Sequence, residues 1–171
     1  MKNNAGEKEF YEPIKRKIEE LMRKKFKDFH LEITADKHFS NKLKEKIGTK
    51  RDIIFSFLKE AAPDITGYID IGELYHVVSF FKEDEYVFLV IEVKKEKLKL
   101  DDIYQTRKYA ELFNAWLAIL VTLEEIPEEI KRLSRVVKPL LPKSDENQLV
   151  ISYFDHKINE FKDWFPKNPF K

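Results

Sequence analysis

One stretch, Tyr86–Glu96 (YVFLVIEVKKE), constrains the fold of this chain more than any other. Successive strand side chains alternate faces, so Leu89, Ile91 and Val93 point one way. Phe88, Val90, Glu92 and Lys94 point the other. Glu92 and Lys94 therefore share a face, about 7 Å apart along the strand, beside large apolar neighbours. Charges placed there are costly unless something pairs them.

The rest of the chain reads as elements around this strand. Phe10, Tyr11, Ile14, Ile18, Leu21, Met22 and Phe26 recur at helical spacing, which predicts an amphipathic helix over about 8–27. FHLEIT (29–34) alternates as a short strand, and SNKLKEKIG suggests a short helix ended by Gly48. RDIIFSFLKEAA places Ile53, Ile54, Phe57, Leu58 and Ala61 on one helical face, and Pro63 stops it. DITGYID begins a strand or turn; ELYHVVSFF, the polar tip KEDE and YVFLVIEVK read as a β-hairpin. LDDIYQTRKYAELFN is a helix with Asp101 or Asp102 as cap and first-turn acid. AWLAILVTL is an apolar strand of the doubly covered kind, and PEEIKRLSRVVKPLLP a helix with proline at its start. NQLVISYFD predicts a last strand, and HKINEFKDWFPKNPF a short helix followed by an aromatic tail. Helix, strand, helical insert, hairpin, helix, strand, helix, strand is an α/β order, a mixed β-sheet flanked by helices. Residues 1–171 are expected to form a single domain.

Composition narrows the chemistry. With no cysteine, disulfides, thiol catalysis, thiolate zinc sites and iron–sulfur clusters are excluded, which favours an intracellular, cytoplasmic protein. The start lacks an apolar signal segment, and the run Ala115–Val121 is far short of the ~20 residues that span a bilayer, so no membrane partner is expected. Abundant Lys and Glu with two Met and two Gln is a bias seen in thermophile proteins. Net charge is only +1, but residues 14–51 hold 13 Lys and Arg against 6 Asp and Glu, and residues 52–171 hold 17 against 22. Such asymmetry permits a basic surface for a polyanion, although a solvated helix face explains it more simply.

Three features converge on one site. PDITG places Asp64 after Pro63 as a strand begins, a hairpin follows, and its second strand delivers Glu92 and Lys94. Elements adjacent in chain order tend to be adjacent in the sheet, so Asp64 and Glu92 are expected to meet. Two carboxylates held together repel unless protonated or bridged by a cation. A hard ion such as Mg²⁺ suits one or two carboxylates and keeps several waters. A neighbouring lysine can then orient a water or stabilise developing negative charge.

Pro63-Asp64 followed, after a hairpin, by Glu92-Val93-Lys94 resembles the signature of the PD-(D/E)XK nuclease superfamily, which includes many restriction endonucleases and the archaeal Holliday-junction resolvases. The resemblance covers about residues 8–122. It implies a restriction-endonuclease-like αβββαβ core with a helical insert at about 36–62, before the second strand, leaving 123–171 as a C-terminal addition. It also implies Asp64, Glu92 and the Val93 carbonyl as ligands of Mg²⁺ (Mn²⁺ substituting), with Lys94 as the water-activating residue. A first-helix acid joins the site in this superfamily, here Glu12 before Glu19 or Glu20, and Gln105 matches the polar residue of the following helix. The activity implied is endonucleolytic hydrolysis of nucleic acid, DNA being the expected substrate, and cutting both strands would favour a homodimer. The alternative is a nuclease-fold module that binds nucleic acid or protein without turnover.

Plainer readings stand beside these. Glu92 and Lys94 can merely salt-bridge neighbouring strands, and Asp64 can cap a turn. Glu12 suits a first helical turn for its dipole alone. His30, His38, His76 and His156 show no metal-ligand spacing, and His76 fits a half-buried position in an alternating strand. Lys95, Lys97, Lys99, Arg107 and Lys108 suit phosphate contacts or ordinary solvated surface. Trp164, Phe165 and Phe170 either pack back on the sheet or meet a partner.

Overall fold

YVFLVIEVK forms the third strand of a six-stranded sheet, β3 (Tyr86–Lys94). The computed structural model describes residues 6–71, 86–142 and 147–171. Before β3 come α1 (Lys8–Arg23), β1 (Phe29–Ile33), α2 (Asn41–Ile47), α3 (Ile54–Phe57) and β2 (Ile65–Asp70). After it come α4 (Leu100–Phe113), β4 (Ala115–Thr122), α5 (Glu128–Val136), β5 (Gln148–Asp155) and β6 (Glu160–Phe165). Strand order is β1-β2-β3-β4-β5-β6. β1, β2 and β3 run antiparallel in turn, β3, β4 and β5 run parallel, and β6 returns antiparallel. The chain is thus α/β, with a mixed sheet covered by helices.

The expected alternation of β3 holds, and it sorts the core into two faces. Leu89, Ile91 and Val93 join Leu117, Ile119 and Val121 of β4 against Tyr11, Ile14, Ile18 and Met22, the apolar stripe of α1. Phe88 and Val90 join Ala118 and Leu120 against Ile103, Tyr109 and Phe113 of α4, with Phe39, Leu43 and Leu58 of the insert alongside. Glu92 and Lys94 follow Val90 in the alternation, so they lie on the α4 face. Gly67 of β2 sits where a Cβ would fall 2.1 Å from the His30 carbonyl oxygen, so β1 and β2 approach this closely only over glycine.

The start of α4 is fixed by Asp102, which accepts the Lys99 N–H at 2.8 Å. α2 is capped by Ser40, whose hydroxyl accepts the Leu43 N–H at 3.2 Å, and ends at Gly48 with φ +75°. No helix among the described residues is long and apolar enough to cross a membrane.

Two expectations are corrected. HKINEFKDWFPKNPF is not a helix: Glu160–Phe165 is β6, paired with β5 after a turn in which Asn159 takes φ +57°. Phe161, Trp164 and Phe165 fit helical spacing too, but β5 has an edge whose N–H and C=O groups need partners, and that demand prevails. Its aromatics do pack back on the sheet: Trp164 stacks with Phe161 and Phe170 at 4.8 and 5.7 Å. The helix expected through RDIIFSFLKEAA shrinks to four residues, with Ile54 and Leu58 buried but Ile53 and Phe57 61% and 70% exposed. ELYHVVSFF, assigned to the first strand of the hairpin, lies outside the described residues, and β3 takes β2 itself as its antiparallel neighbour.

Candidate functional site

The register of β2 on β3 pairs Ile65 with Ile91. One further step along it sets Asp64 across from Glu92. There the side chain of Asp64 continues the ladder, its Oδ2 accepting the Val93 N–H at 2.7 Å. The end of β1 holds Asp64 in place: Thr34 and Ala35 donate their N–H groups to its carbonyl at 2.8 and 3.2 Å. The Thr34 hydroxyl bonds the Pro63 carbonyl at 2.7 Å and lies 2.8 Å from the Thr66 hydroxyl. The acid after Pro63 is therefore fixed by backbone contacts on both sides.

Glu92 is 3% exposed. Its Oε1 accepts from Lys94 Nζ at 2.8 Å and from Gln105 Nε2 at 2.9 Å. The same Gln105 nitrogen donates to the Tyr109 hydroxyl at 3.2 Å, which ties the amide to α4 and aims it at Glu92. Glu92 Oε2 is buried and has no hydrogen-bond partner. A buried carboxylate oxygen left unpaired is expensive.

Electrostatics follow from this crowding. Burial pushes the Asp64 carboxyl upward against the pull of the Val93 N–H. Burial and then the charge of Asp64 push Glu92 upward against the pull of Lys94. Lys94 is held above the usual ammonium range, because Glu92 and Asp64 outweigh the burial that would lower it. Within this cluster two carboxylates face one ammonium, so it has room for further positive charge.

Asp64, Glu92, Lys94 and Gln105 are thus brought together. Val93 joins through its backbone, its side chain being buried on the opposite face. Glu12 is not brought in: its carboxylate, half-exposed, binds Arg16 at 3.0 Å and lies 3.9 Å from Lys15. Glu19 pairs with Lys15 and Glu20 with Lys17. In place of these, α1 contributes Glu7 and Tyr11. Glu7, at the N-cap of α1, accepts the Lys95 N–H at 3.2 Å, and its charge acts on Asp64, Glu92 and Tyr11. Apolar periodicity draws attention to the acids within α1, whereas Glu7 lies at its cap, where the four-residue spacing to Tyr11 is the available signal.

Of the cations assigned to phosphate or solvent, Lys97 pairs with Glu129 at 3.4 Å, Arg107 with Glu111 at 3.7 Å, and Lys108 lies 4.7 Å from the Tyr109 ring. His30 binds Glu32 and His156 stacks on Phe10, while His76 lies outside the described residues. Among the described residues no three or more His, Asp and Glu form a group that could hold a metal ion; the carboxylates meeting at the β2–β3 end are a pair. Compared with models of known families, with curated proteins and with solved structures, the chain matches none.

Proposed function

We propose that this chain is a divalent-metal-dependent nuclease of the PD-(D/E)XK kind, hydrolysing phosphodiester bonds of DNA. The observation that carries the reading is the buried Asp64–Glu92 pair, with Glu92 Oε2 unpartnered and Lys94 and Gln105 on its other oxygen. A fixed acid pair with an unspent oxygen suits a hard cation that takes one or two carboxylates and keeps its remaining waters. A restriction-endonuclease-like core is supported by the order of elements: a covering helix, three antiparallel strands, a helix and a parallel strand.

In this reading Asp64 and Glu92 would hold Mg²⁺ or Mn²⁺, and the Val93 carbonyl would offer a further oxygen. Such an ion, when bound, supplies positive charge against a phosphate and a water of lowered pKa. Gln105 keeps Glu92 in one orientation. Lys94, charged because two carboxylates adjoin it, would present an ammonium to the phosphate oxygens on which negative charge grows as the water–phosphorus bond forms and the bond to the leaving sugar oxygen breaks, that oxygen taking its proton from solvent. Glu7 adds negative charge at the α1 end of the same cluster.

The test is a cleavage assay on duplex, junction, flap and single-stranded DNA with Mg²⁺ or Mn²⁺, run beside Lys94→Ala. The chain is expected to cut at least one of these forms in the presence of metal, and the variant to lose ~10² to 10⁴ in rate. A variant that cuts as fast as the parent removes Lys94 from the mechanism. DNA binding that weakens with salt, without cleavage in either metal, overturns the nuclease reading in favour of a binding module.

A further inference from the structure

Among the described residues, two buried side-chain polar atoms have no hydrogen-bond partner: Glu92 Oε2 and the hydroxyl of Tyr11. They occupy one neighbourhood. Tyr11 is 2% exposed and belongs to the same buried cluster as Ile91 and Val93, the residues either side of Glu92, and Val93 is the residue whose N–H Asp64 accepts. Packing does not call for the hydroxyl. The remaining buried positions of α1 are Ile14, Ile18 and Met22, all apolar, and phenylalanine would fill the site of Tyr11 without burying an unpaired group. A phenol is protonated at neutral pH and is therefore a donor, and the Asp64 carboxylate lies within its reach.

A carboxylate only accepts hydrogen bonds, and a water bound to a cation has its lone pair engaged and chiefly donates. A phenol does both, giving one proton and offering lone pairs. We propose that Tyr11 is a positioning residue of the cation site: its hydroxyl donates to Asp64 and accepts from a water of the cation that Asp64 and Glu92 hold. The inference rests on the metal reading above. It gives α1 a neutral donor and acceptor at the cation in place of the acid that the sequence suggested, reaching the acid pair from the sheet face opposite α4.

Tyr11→Phe removes one oxygen and keeps the packing. Titration calorimetry of the full chain with MgCl₂ and MnCl₂ should show the variant binding about 10- to 100-fold more weakly than the parent. Melting of the same two proteins without metal should show at most the small loss expected of one donor to Asp64. Equal affinities would overturn the proposal and leave Tyr11 as core filling. So would a metal-free variant that melts well below the parent, because the hydroxyl would then already be serving the fold. If the parent itself takes up neither ion, this proposal falls together with the nuclease reading, an outcome distinct from a parent that binds and a variant that binds equally well.

Discussion

Two acids on strands either side of β2, Glu32 of β1 and Glu92 of β3, each sit in a largely buried place beside a basic side chain and meet different fates. Every oxygen of Glu32 is engaged. Oε1 accepts the Ser40 N–H at 2.8 Å, and Oε2 accepts from the Ser40 hydroxyl and lies 2.7 Å from His30 Nε2. Burial would raise this carboxyl, but the bonds from Ser40, and then His30, outweigh it and hold the group below its ordinary range. Because Ser40 is also the cap of α2, Glu32 ties the helical insert to the sheet. Glu92 has one oxygen engaged and one empty, and its proton affinity moves the opposite way. Glu32, serving the fold, is saturated by it, whereas Glu92, which the nuclease reading reserves for a cation, carries a deficit that the fold does not repair.

The sharpest way to break this contrast is to neutralise each acid in turn. Glu92→Gln removes a buried charge, so without metal it should melt no lower than the parent, while metal-dependent cleavage should fall at least ~10²-fold. Glu32→Gln should do the reverse, leaving the cleavage rate near that of the parent but losing about 1 to 2 kcal/mol of stability, or roughly 5 °C in Tm for a chain of this size. Thermal melts and single-turnover cleavage of the two variants check both halves. If both variants melt lower by a similar amount, the two acids are structural alike.

Acidity separates the same pair by a smaller effect. For Glu32 the folded-state pKa is depressed, so its stabilisation is present above the ordinary value of 4.5 and is lost as pH falls through the lower, folded-state pKa. For Asp64 and Glu92 the folded-state pKa values are raised, so the folded state binds more protons than the unfolded chain. Their contribution is intact below the ordinary carboxylate range and declines as pH rises from there through the raised values. Metal-free Tm measured against pH should accordingly lose part of its acid-side fall in Glu32→Gln and part of its decline toward neutral pH in Glu92→Gln. Parallel profiles for the two variants would contradict the assignment.

Why one acid could be singled out from sequence and the other's partners could not is a matter of range. β3 announces itself, because alternation over nine residues fixes which face Glu92 and Lys94 share. Asp64 comes next by chain adjacency, and Gln105 lies one helical turn past Asp101 and Asp102, in a helix whose start is signalled by those acids. Glu7 sits at the N-cap, outside the apolar stripe that defines α1, so the periodicity gives it no weight and directs attention to Glu12, which instead pairs with Arg16 along the helix. β6 was illegible for another reason. Its aromatics satisfy both periods, and the deciding term is the unpaired edge of β5, which local spacing does not encode. The insert fails in the same way, since Ile53 and Phe57 share a helical face with Ile54 and Leu58 only if the helix runs on, and it lasts one turn.

The finest cut on the comparison is to remove a single donor from each acid. Gln105→Ala deletes one bond to Glu92 Oε1 and leaves Lys94 on the same oxygen, so the carboxylate keeps its strongest tie and loses only its orientation from α4. A neutral donor to a charged acceptor of this kind is worth about 1.5 kcal/mol, which, expressed in the transition state, is about tenfold in rate. Because the amide fixes direction and not charge, the loss should appear in kcat with Tm nearly unchanged. Ser40→Ala deletes a donor to Glu32 Oε2 and the cap of α2 together, and should appear in Tm with kcat nearly unchanged. If Gln105→Ala instead lowers Tm and spares kcat, the amide is buttressing α4 through Tyr109, and Glu92 holds its orientation without it.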